Sequence, residues 1–526
     1  MTQPLYPGSI AETPDIQEAR AWAFSAHLTR LARKDPEKLA FKCADDTLTF
    51  AELDRKATQL ANALSSRGIG RGDRVATVAM NHLEHIVTFW ATWRLGAVVV
   101  PMNFRLAPPE LTYLMIDSGA KALVIDGVFD NLEDAARDAL AVRLVVGASS
   151  SAGAEDFTEF LATGSDEHTY VHVEENELCA IMYTSGTTGL PKGAMLSYTN
   201  LLAQTHNVMS IFKISGPDEV NLCGVPLFHI AGIGGLLPNF RVGGHTVVQR
   251  LGAFDPQATL ELIREESVTQ AFLVPTQWQA VCSLPPLDPP ITTLRRISWG
   301  AAPTTRGILE AMERTFPGVE NIAVFGQTEM SPVTCSLDAK DAIRKIGSVG
   351  LPIPGVEARV VDPAGNDVPQ GEIGEIVYRG PNMMLGYWNR PEATAEAFAG
   401  GWFHSGDLVR QDDEGFIYVV DRLKDMLISG GENIYCAEVE AAVQSHPGVM
   451  EAAVIGRPHE KWGEVPVVIV APNAGVELTE QDILNHVADR LARYKQPKGV
   501  HFVEALPRNA SGKVTKPDLR KQYSAS

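Results

Sequence analysis

The sequence predicts an α/β protein in two parts. The first is a large N-terminal domain of several subdomains, with mostly parallel sheets flanked by helices plus a small antiparallel barrel. The second is a small α+β C-terminal domain. From about Leu48 strand-like and helix-like segments alternate. From about Val356 short alternating strands with Gly and Pro turns replace them, and a compact mixed segment follows Asp421. At 526 residues the chain exceeds one core, and a prior of roughly 150 residues per domain gives two to four structural units.

Taken in order, Thr49 and Glu52 have capping-box spacing, and Leu53, Ala57, Leu60, Ala61 and Leu64 mark one face of a helix that Gly68 stops. Residues 73–78 read as a strand, 82–95 as a helix ended by Gly96, and 97–100 as a further strand. In the later part, 356–361 and 375–379 read as short strands closing the large domain. Beyond Asp421 a helix is expected near 437–444, strands near 452–455 and 467–470, and a helix near 479–491. The domain bounds are therefore set at 1–421 and 426–526, with residues 422–425 as the connection. No internal repeat is present.

A formal net charge of −19 excludes a basic footprint for nucleic acid and electrostatic docking on anionic lipid. Any phosphate-rich ligand must then meet a local basic or amide-lined site. The six cysteines lie far apart without metal-ligand spacing, so reduced thiols in a cytoplasmic protein are expected. The first residues lack the basic and apolar run of a secretion signal. The segments 221–240 and 268–287 contain no Asp, Glu, Lys or Arg. Both are interrupted by Pro and read as parts of a large core, not as membrane spans.

The strongest local signal is Tyr183-Thr-Ser-Gly-Thr-Thr-Gly-Leu-Pro-Lys-Gly193. Glycines allow tight turns, hydroxyls and backbone N–H groups offer donors to phosphate oxygens, and Lys192 adds a cation. The run is not the GxxxxGK[ST] loop of the common nucleotide hydrolases.

With this run, FGQTE at 325–329, GWFHSGD at 401–407, DRLKDMLISGGENIY at 421–435 and LPRNASGK at 506–513 resemble the successive motifs of the adenylate-forming superfamily. That superfamily includes acyl-CoA synthetases, aryl-CoA ligases, luciferases of the firefly type and peptide-synthetase adenylation domains. The resemblance covers nearly all of the chain after residue 40. It implies a carboxylic acid–CoA ligase that uses ATP and Mg²⁺, forms an acyl-adenylate, then passes the acyl group to coenzyme A. It also implies that the small C-terminal domain is mobile.

The resemblance assigns roles by position. Thr184, Ser185, Gly186, Thr187, Thr188, Gly189 and Lys192 would hold the β and γ phosphates. Thr328 would reach the α-phosphate, and Glu329, with Thr184, would hold Mg²⁺. Phe325 and Gly326 would line adenine, Phe325 keeping a ring face where relatives carry tyrosine, and the small run Gly300, Ala301, Ala302 would let adenine and acyl group pass. In isolation that run reads as strand packing. Asp407 would accept the ribose hydroxyls, with Arg422 beside ribose and phosphate. Lys513 would compensate charge on the acyl carboxylate and α-phosphate. Lys424 would be the hinge, and Gly430 and Gly431 would line the pantetheine tunnel. Cys436, where relatives commonly have proline, is read as a buried thiol without a catalytic role.

For the acid, the resemblance points to His229 at the pocket mouth. Without it, a histidine among apolar residues reads as a hydrogen-bonded structural group. Val274, Pro275, Gln277, Trp299, Gly300, Met330, Ser331, Pro332 and Val333 are the expected pocket neighbours. Uncharged segments around His229 and Val274 imply an apolar acid of fatty, cinnamate-like or steroid-derived type. The expected partners are that small-molecule acid, ATP and coenzyme A, with no nucleic acid and no transmembrane segment, and a homodimer stays open. Two rival readings remain: loading of a carrier-protein phosphopantetheine, and a non-catalytic acyl or nucleotide sensor, against which the intact Lys192, Glu329, Asp407 and Lys513 speak.

Overall fold

The computed structural model describes residues 13–130, 132–148, 153–184, 190–285, 290–302, 304–429, 432–509 and 512–523. Thr49 and Glu52 form the expected capping box at the head of helix Phe50–Ser66, whose apolar face, with Leu53, Leu60 and Leu64, is fully buried. His82 caps helix Leu83–Arg94 by accepting from the His85 N–H. These elements follow the expected strand and helix order with shifts of one or two residues.

Two compact units divide the chain. One comprises 1–357 and 378–403, the other 358–377 and 404–526.

In the first unit, one sheet has eight strands in the order Gly386–Tyr387, Lys192–Ser197, Leu178–Thr184, Val98–Pro101, Arg74–Val78, Ala122–Asp126, Val142–Val146, Glu155–Asp156. The other has nine: Leu351–Pro352, Val333–Leu337, Glu320–Gly326, Arg296–Gly300, Gln270–Phe272, Val220–Cys223, His245–Val248, Leu39–Cys43, Asp46–Thr49. Its central pairings are parallel, with Cys223 opposite Phe272, Phe272 opposite Ser298 and Gly300 opposite Val324. Parallel neighbours in register end on one edge, and in open α/β sheets ligands bind beyond those carboxyl ends. The segments carrying His229, Val274, Ala301 and Thr328 all leave this edge. The uncharged stretches expected in the core contribute these strands and their following helices, and no helix among the described residues is long and apolar enough to cross a membrane.

The two sheets are tied by Asn81, which is 2 % exposed. Its Nδ2 donates to the carbonyls of Val225 (2.9 Å) and Gln249 (3.1 Å), and its Oδ1 accepts from the Leu227 N–H at 2.9 Å. One side chain at the end of strand Arg74–Val78 thereby holds the loop that leads to His229.

In the second unit, strands Glu357–Val361, Ile373–Arg379, Phe403–Gln411 and Ile417–Arg422 form a four-stranded sheet, apart from the few residues at strand ends that belong to the first unit. A further sheet is built around the long antiparallel pair Val449–His459 and Gly463–Pro472. Helices Cys436–Gln444 and Glu480–Ala488 bury Val439, Val443, Ile483 and Val487 against it. Residues 422–425 lie within this unit, and their assignment as a hinge remains a proposal.

The Asn81 bonds make a stability prediction. Asn81→Ala leaves the Gln249 carbonyl and the Leu227 N–H without their partner and the Val225 carbonyl with only the Cys223 thiol, 3.7 Å away, so unfolding free energy should fall by about 3 kcal/mol. Urea unfolding followed by tryptophan fluorescence checks it; an unchanged midpoint would show that the loop satisfies itself otherwise.

Candidate active site

The phosphate-type loop spans the gap between two antiparallel strands, Leu178–Thr184 and Lys192–Ser197, in which Thr184 stands opposite Lys192. Ser185, Gly186, Thr187, Thr188 and Gly189 lie outside the described residues, as do Gly430 and Gly431. The stems of the loop are held by a polar cluster. The Tyr183 hydroxyl donates to Asp117 Oδ2 at 2.7 Å, Arg390 pairs with Asp117 Oδ1 at 2.7 Å, and Arg390 also donates to the Tyr113 hydroxyl at 2.8 Å. That hydroxyl in turn donates to the Pro191 carbonyl at 3.3 Å, and the Trp388 indole donates to the Asp117 carbonyl at 2.9 Å. Burial, with the Asp117 charge next to it, holds the Tyr183 phenol above its usual value, so it remains a donor.

Next to these stems is the turn that follows strand Glu320–Gly326. Thr328–Met330 forms one turn of 3₁₀ helix, and the Gln327 N–H donates to the Pro332 carbonyl at 2.9 Å. At Gly326 a Cβ would lie 1.9 Å from the Pro332 oxygen, so only glycine permits this close return. The fully buried Asn382 donates to the carbonyls of Met330 (2.8 Å) and Val333 (3.1 Å) and so fixes the turn from below. Glu329 is 8 % exposed. Its Oε1 accepts from the Tyr387 hydroxyl at 3.0 Å and lies 3.5 Å from Thr184 Oγ1. Lys192 Nζ stands 5.1 Å from the centre of the Tyr387 ring. Thr184, Lys192 and Glu329, named from sequence, are thus gathered around Tyr387, which sequence reasoning missed.

This donor set bears on a divalent cation. No group of three His, Cys, Asp or Glu suited to a metal occurs among the described residues. Glu329 instead offers a buried carboxylate, with hydroxyls and no ion-pair partner among the described residues. Such a site fits Mg²⁺, which is usually held by one or two carboxylates plus substrate phosphates and waters.

Gly300 sits at the end of strand Arg296–Gly300, where a Cβ would come within 2.4 Å of the Val324 carbonyl oxygen. Its smallness is therefore required by the neighbouring strand. Ala301 follows at φ +64°, a left-handed conformation that a non-glycine residue rarely holds, and Ser331 is similar at +66°. Phe325 is half-buried opposite Cys335. Trp299 is buried, its indole donating to Asn321 Oδ1 at 2.7 Å.

His229 is exposed and caps helix Ile230–Val242, its Nδ1 accepting from the Ala231 N–H at 3.2 Å. Gln277 is likewise used locally, Oε1 accepting from the Val274 N–H at 3.1 Å, with Pro275 opening helix Pro275–Cys282. Pro332 lies against helix Ile230–Val242, since a Cβ at Gly234 would meet its Cδ at 3.3 Å.

In the second unit, Asp407 is 3 % exposed and forms an ion pair of 2.8 Å with Arg422 from the neighbouring strand. Asp407 and Arg422, assigned to one nucleoside from sequence, do meet. The strand turn is set by Glu375, which accepts from the Gly406 N–H at 2.8 Å and holds His404 Nδ1 at 2.7 Å. Lys424 is exposed in the turn after Arg422. Lys513 is exposed in a turn closed by Asn509, whose N–H donates to the Lys513 carbonyl at 2.9 Å while its Oδ1 accepts from the Lys513 N–H at 3.0 Å. Cys436 donates to the Asp425 carbonyl at 2.8 Å, and burial pushes its thiol up to about 12, which matches the inert role expected of it.

A model of the AMP-binding enzyme family matches residues 28–388, and a model of its C-terminal domain matches 438–513. The chain belongs to the AMP-binding enzyme family. Feruloyl-CoA synthase of Amycolatopsis sp is 41 % identical over 94 % of this chain and 98 % of its own. Indoleacetate–CoA ligase of Aromatoleum aromaticum is 38 % identical over 94 % of this chain and 97 % of its own. Among solved structures, O-succinylbenzoate coenzyme A synthetase of Bacillus subtilis, in complex with ATP and a magnesium ion, superimposes with a TM-score of 0.84 at 30 % identity. It covers 94 % of this chain and 99 % of that one. This AMP-binding enzyme is an ATP-dependent ligase that joins an acid to coenzyme A by way of an adenylate.

Its loop stems give the next prediction. Asp117→Ala removes the common acceptor of Tyr183 and Arg390, loosening both sides of residues 185–189. The KM for ATP should rise several-fold while the KM for the acid stays near its original value; equal changes in both would assign the cluster to general stability.

Proposed function

We propose that this ligase activates an apolar aromatic acid of the arylpropenoic or arylacetic type. The observation that carries the chemistry is the meeting of Thr184, Lys192 and Glu329 beside the ends of the loop. Support for the acid comes from the relatives named for feruloyl and indoleacetate substrates, and from uncharged segments 221–240 and 268–287 around His229, Val274, Pro275 and Gln277.

In the first half-reaction an acid oxygen attacks the α-phosphorus of ATP. The new bond is carboxylate oxygen to phosphorus, and the bond broken joins that phosphorus to the bridging oxygen of leaving pyrophosphate. Lys192 and the hydroxyls of the loop hold the β and γ phosphates, Thr328 meets the α-phosphate, and Asp407 accepts the ribose hydroxyls, with Arg422 next to it. Mg²⁺, held by Glu329 with Thr184 near, would neutralise phosphate charge as pyrophosphate departs. Lys513 stabilises the charge that gathers on the α-phosphate oxygens. No general base is required, because the acid is already ionised at neutral pH.

In the second half-reaction the sulfur of coenzyme A attacks the acyl carbonyl, a carbon–sulfur bond forms, and AMP leaves with the electron pair. A thiol with a pKa of about 8.5 is only partly ionised at pH 7, so the thioester step should quicken as pH rises toward that value. Gly430 and Gly431 lead pantetheine to the carbonyl, and Lys424 is the pivot between half-reactions.

AMP release measured across ferulate, cinnamate, indoleacetate, octanoate and palmitate, with and without coenzyme A, tests the substrate class. The aryl acids should give the higher kcat/KM, and coenzyme A should be required for turnover. Faster use of palmitate would overturn the choice of acid. Lys513→Ala should cut acyl-AMP synthesis by about 100-fold or more, as for loss of an oxyanion donor, while supplied acyl-AMP is still converted to thioester. Equal loss in both steps would remove Lys513 from its assigned role.

A further inference from the structure

We propose that Tyr387 is a positioning residue: its hydroxyl orients the Glu329 carboxylate toward a divalent cation, and its ring keeps Lys192 from neutralising that carboxylate. The inference rests on the reading of Glu329 as the cation's carboxylate.

The sheet register places the parts. Strand Gly386–Tyr387 adds antiparallel to the edge of Lys192–Ser197, with Tyr387 opposite Ala194, and the Trp388 N–H closes the pairing on the Gly193 carbonyl at 2.8 Å. Side chains directly opposite share a face, and so do residues two apart. Tyr387, Ala194 and Lys192 therefore share one face, and Thr184, opposite Lys192 on the next strand, shares it too. The ring of Tyr387 reaches diagonally across to Lys192.

Two constraints fix Tyr387. Gly386 has φ +142°, and a Cβ there would meet Thr394 Cγ2 at 2.7 Å. Thr394 Oγ1 also accepts the Tyr387 N–H at 2.9 Å, so helix Pro391–Ala397 anchors the residue from behind. The main-chain N–H of Met384 donates to the Glu329 carbonyl at 2.8 Å. The same segment thereby holds Glu329 by its backbone and by its carboxylate.

The electrostatic consequence concerns which charges meet. Glu329 and Lys192 both lie against Tyr387, yet they form no ion pair among the described residues. The ammonium faces the ring, an arrangement favoured by the ring quadrupole, and Glu329 Oε1 receives the phenol hydrogen. Oε2 has no hydrogen-bond partner among the described residues and is left for a cation. A direct Lys–Glu pair would consume the carboxylate needed by the metal and the ammonium needed by the phosphates.

The test uses the full chain with Mn²⁺ as probe and an ATP analogue whose α,β bridge is methylene, read by electron paramagnetic resonance. Tyr387→Phe keeps the ring and loses the hydroxyl. It should weaken Mn²⁺ about 10-fold, the low end for losing a hydrogen bond to a metal ligand, and leave metal-free analogue binding unchanged. Tyr387→Leu should weaken both, since Lys192 is then free to pair with Glu329. Circular dichroism confirms that each variant is folded. Mn²⁺ binding by Tyr387→Phe that equals wild type, while Glu329→Gln loses it, overturns the role of Tyr387 and leaves Glu329 as the cation's carboxylate. Wild-type Mn²⁺ binding by Glu329→Gln overturns the underlying assignment as well.

Discussion

The first unit's site depends on one constraint: the return of segment 381–390 along the edge of strand Lys192–Ser197. Buried backbone groups must find partners, and this segment supplies them to elements far away in sequence. Asn200 Nδ2 donates to the carbonyls of Pro381 (2.8 Å) and Met383 (2.7 Å). Asn382 satisfies Met330 and Val333, Trp388 satisfies Gly193, and Arg390 joins Asp117. Without this return the turn at 327–333 would keep orphan carbonyls, and Glu329 would lose both of its holds.

A strongly acidic protein that binds a polyanion must concentrate its few cations and shield them from its own carboxylates. Lys192 is set over an aromatic face, while elsewhere basic residues are taken up by acidic neighbours, as Arg71 is by Glu177 and Arg67 by Glu155. Exposed pairs of this kind add little stability. Their effect is to leave local charge at the site as the feature a nucleotide meets.

Much of this was legible in the sequence because local rules govern it. Capping boxes at Thr49 and glycine stops follow from short-range hydrogen bonding, and the glycine-rich run with its companion motifs carried the family. The residues missed, Asn81, Asp117, Asn382 and Tyr387, act on partners dozens to hundreds of positions away. Each looks ordinary in its own segment: an asparagine near a helix start, an acid near a helix end, an asparagine after proline, a tyrosine after glycine. Nothing in their spacing signals the distant strands and loops to which they bond. Gly300 shows the reverse case: the plain reading of its run as strand packing accounts for it, since the Val324 carbonyl allows no side chain. His229 and Gln277 are likewise used in helix caps, which periodicity alone could not separate from a pocket role.

The second unit is assembled from two stretches, 358–377 and 404–526, while 378–403 belongs to the first. During synthesis the two units must therefore mature in an interleaved order. Strand Ile373–Arg379 leaves the ribosome well before its partner Phe403–Gln411, a wait of a few seconds at about 5–20 residues per second. Throughout that interval the early strands expose an unpaired edge, and the strap that completes the first unit is made before the second can close. A nascent chain paused near residue 403 would hold an open sheet edge, the kind of surface that chaperones cover.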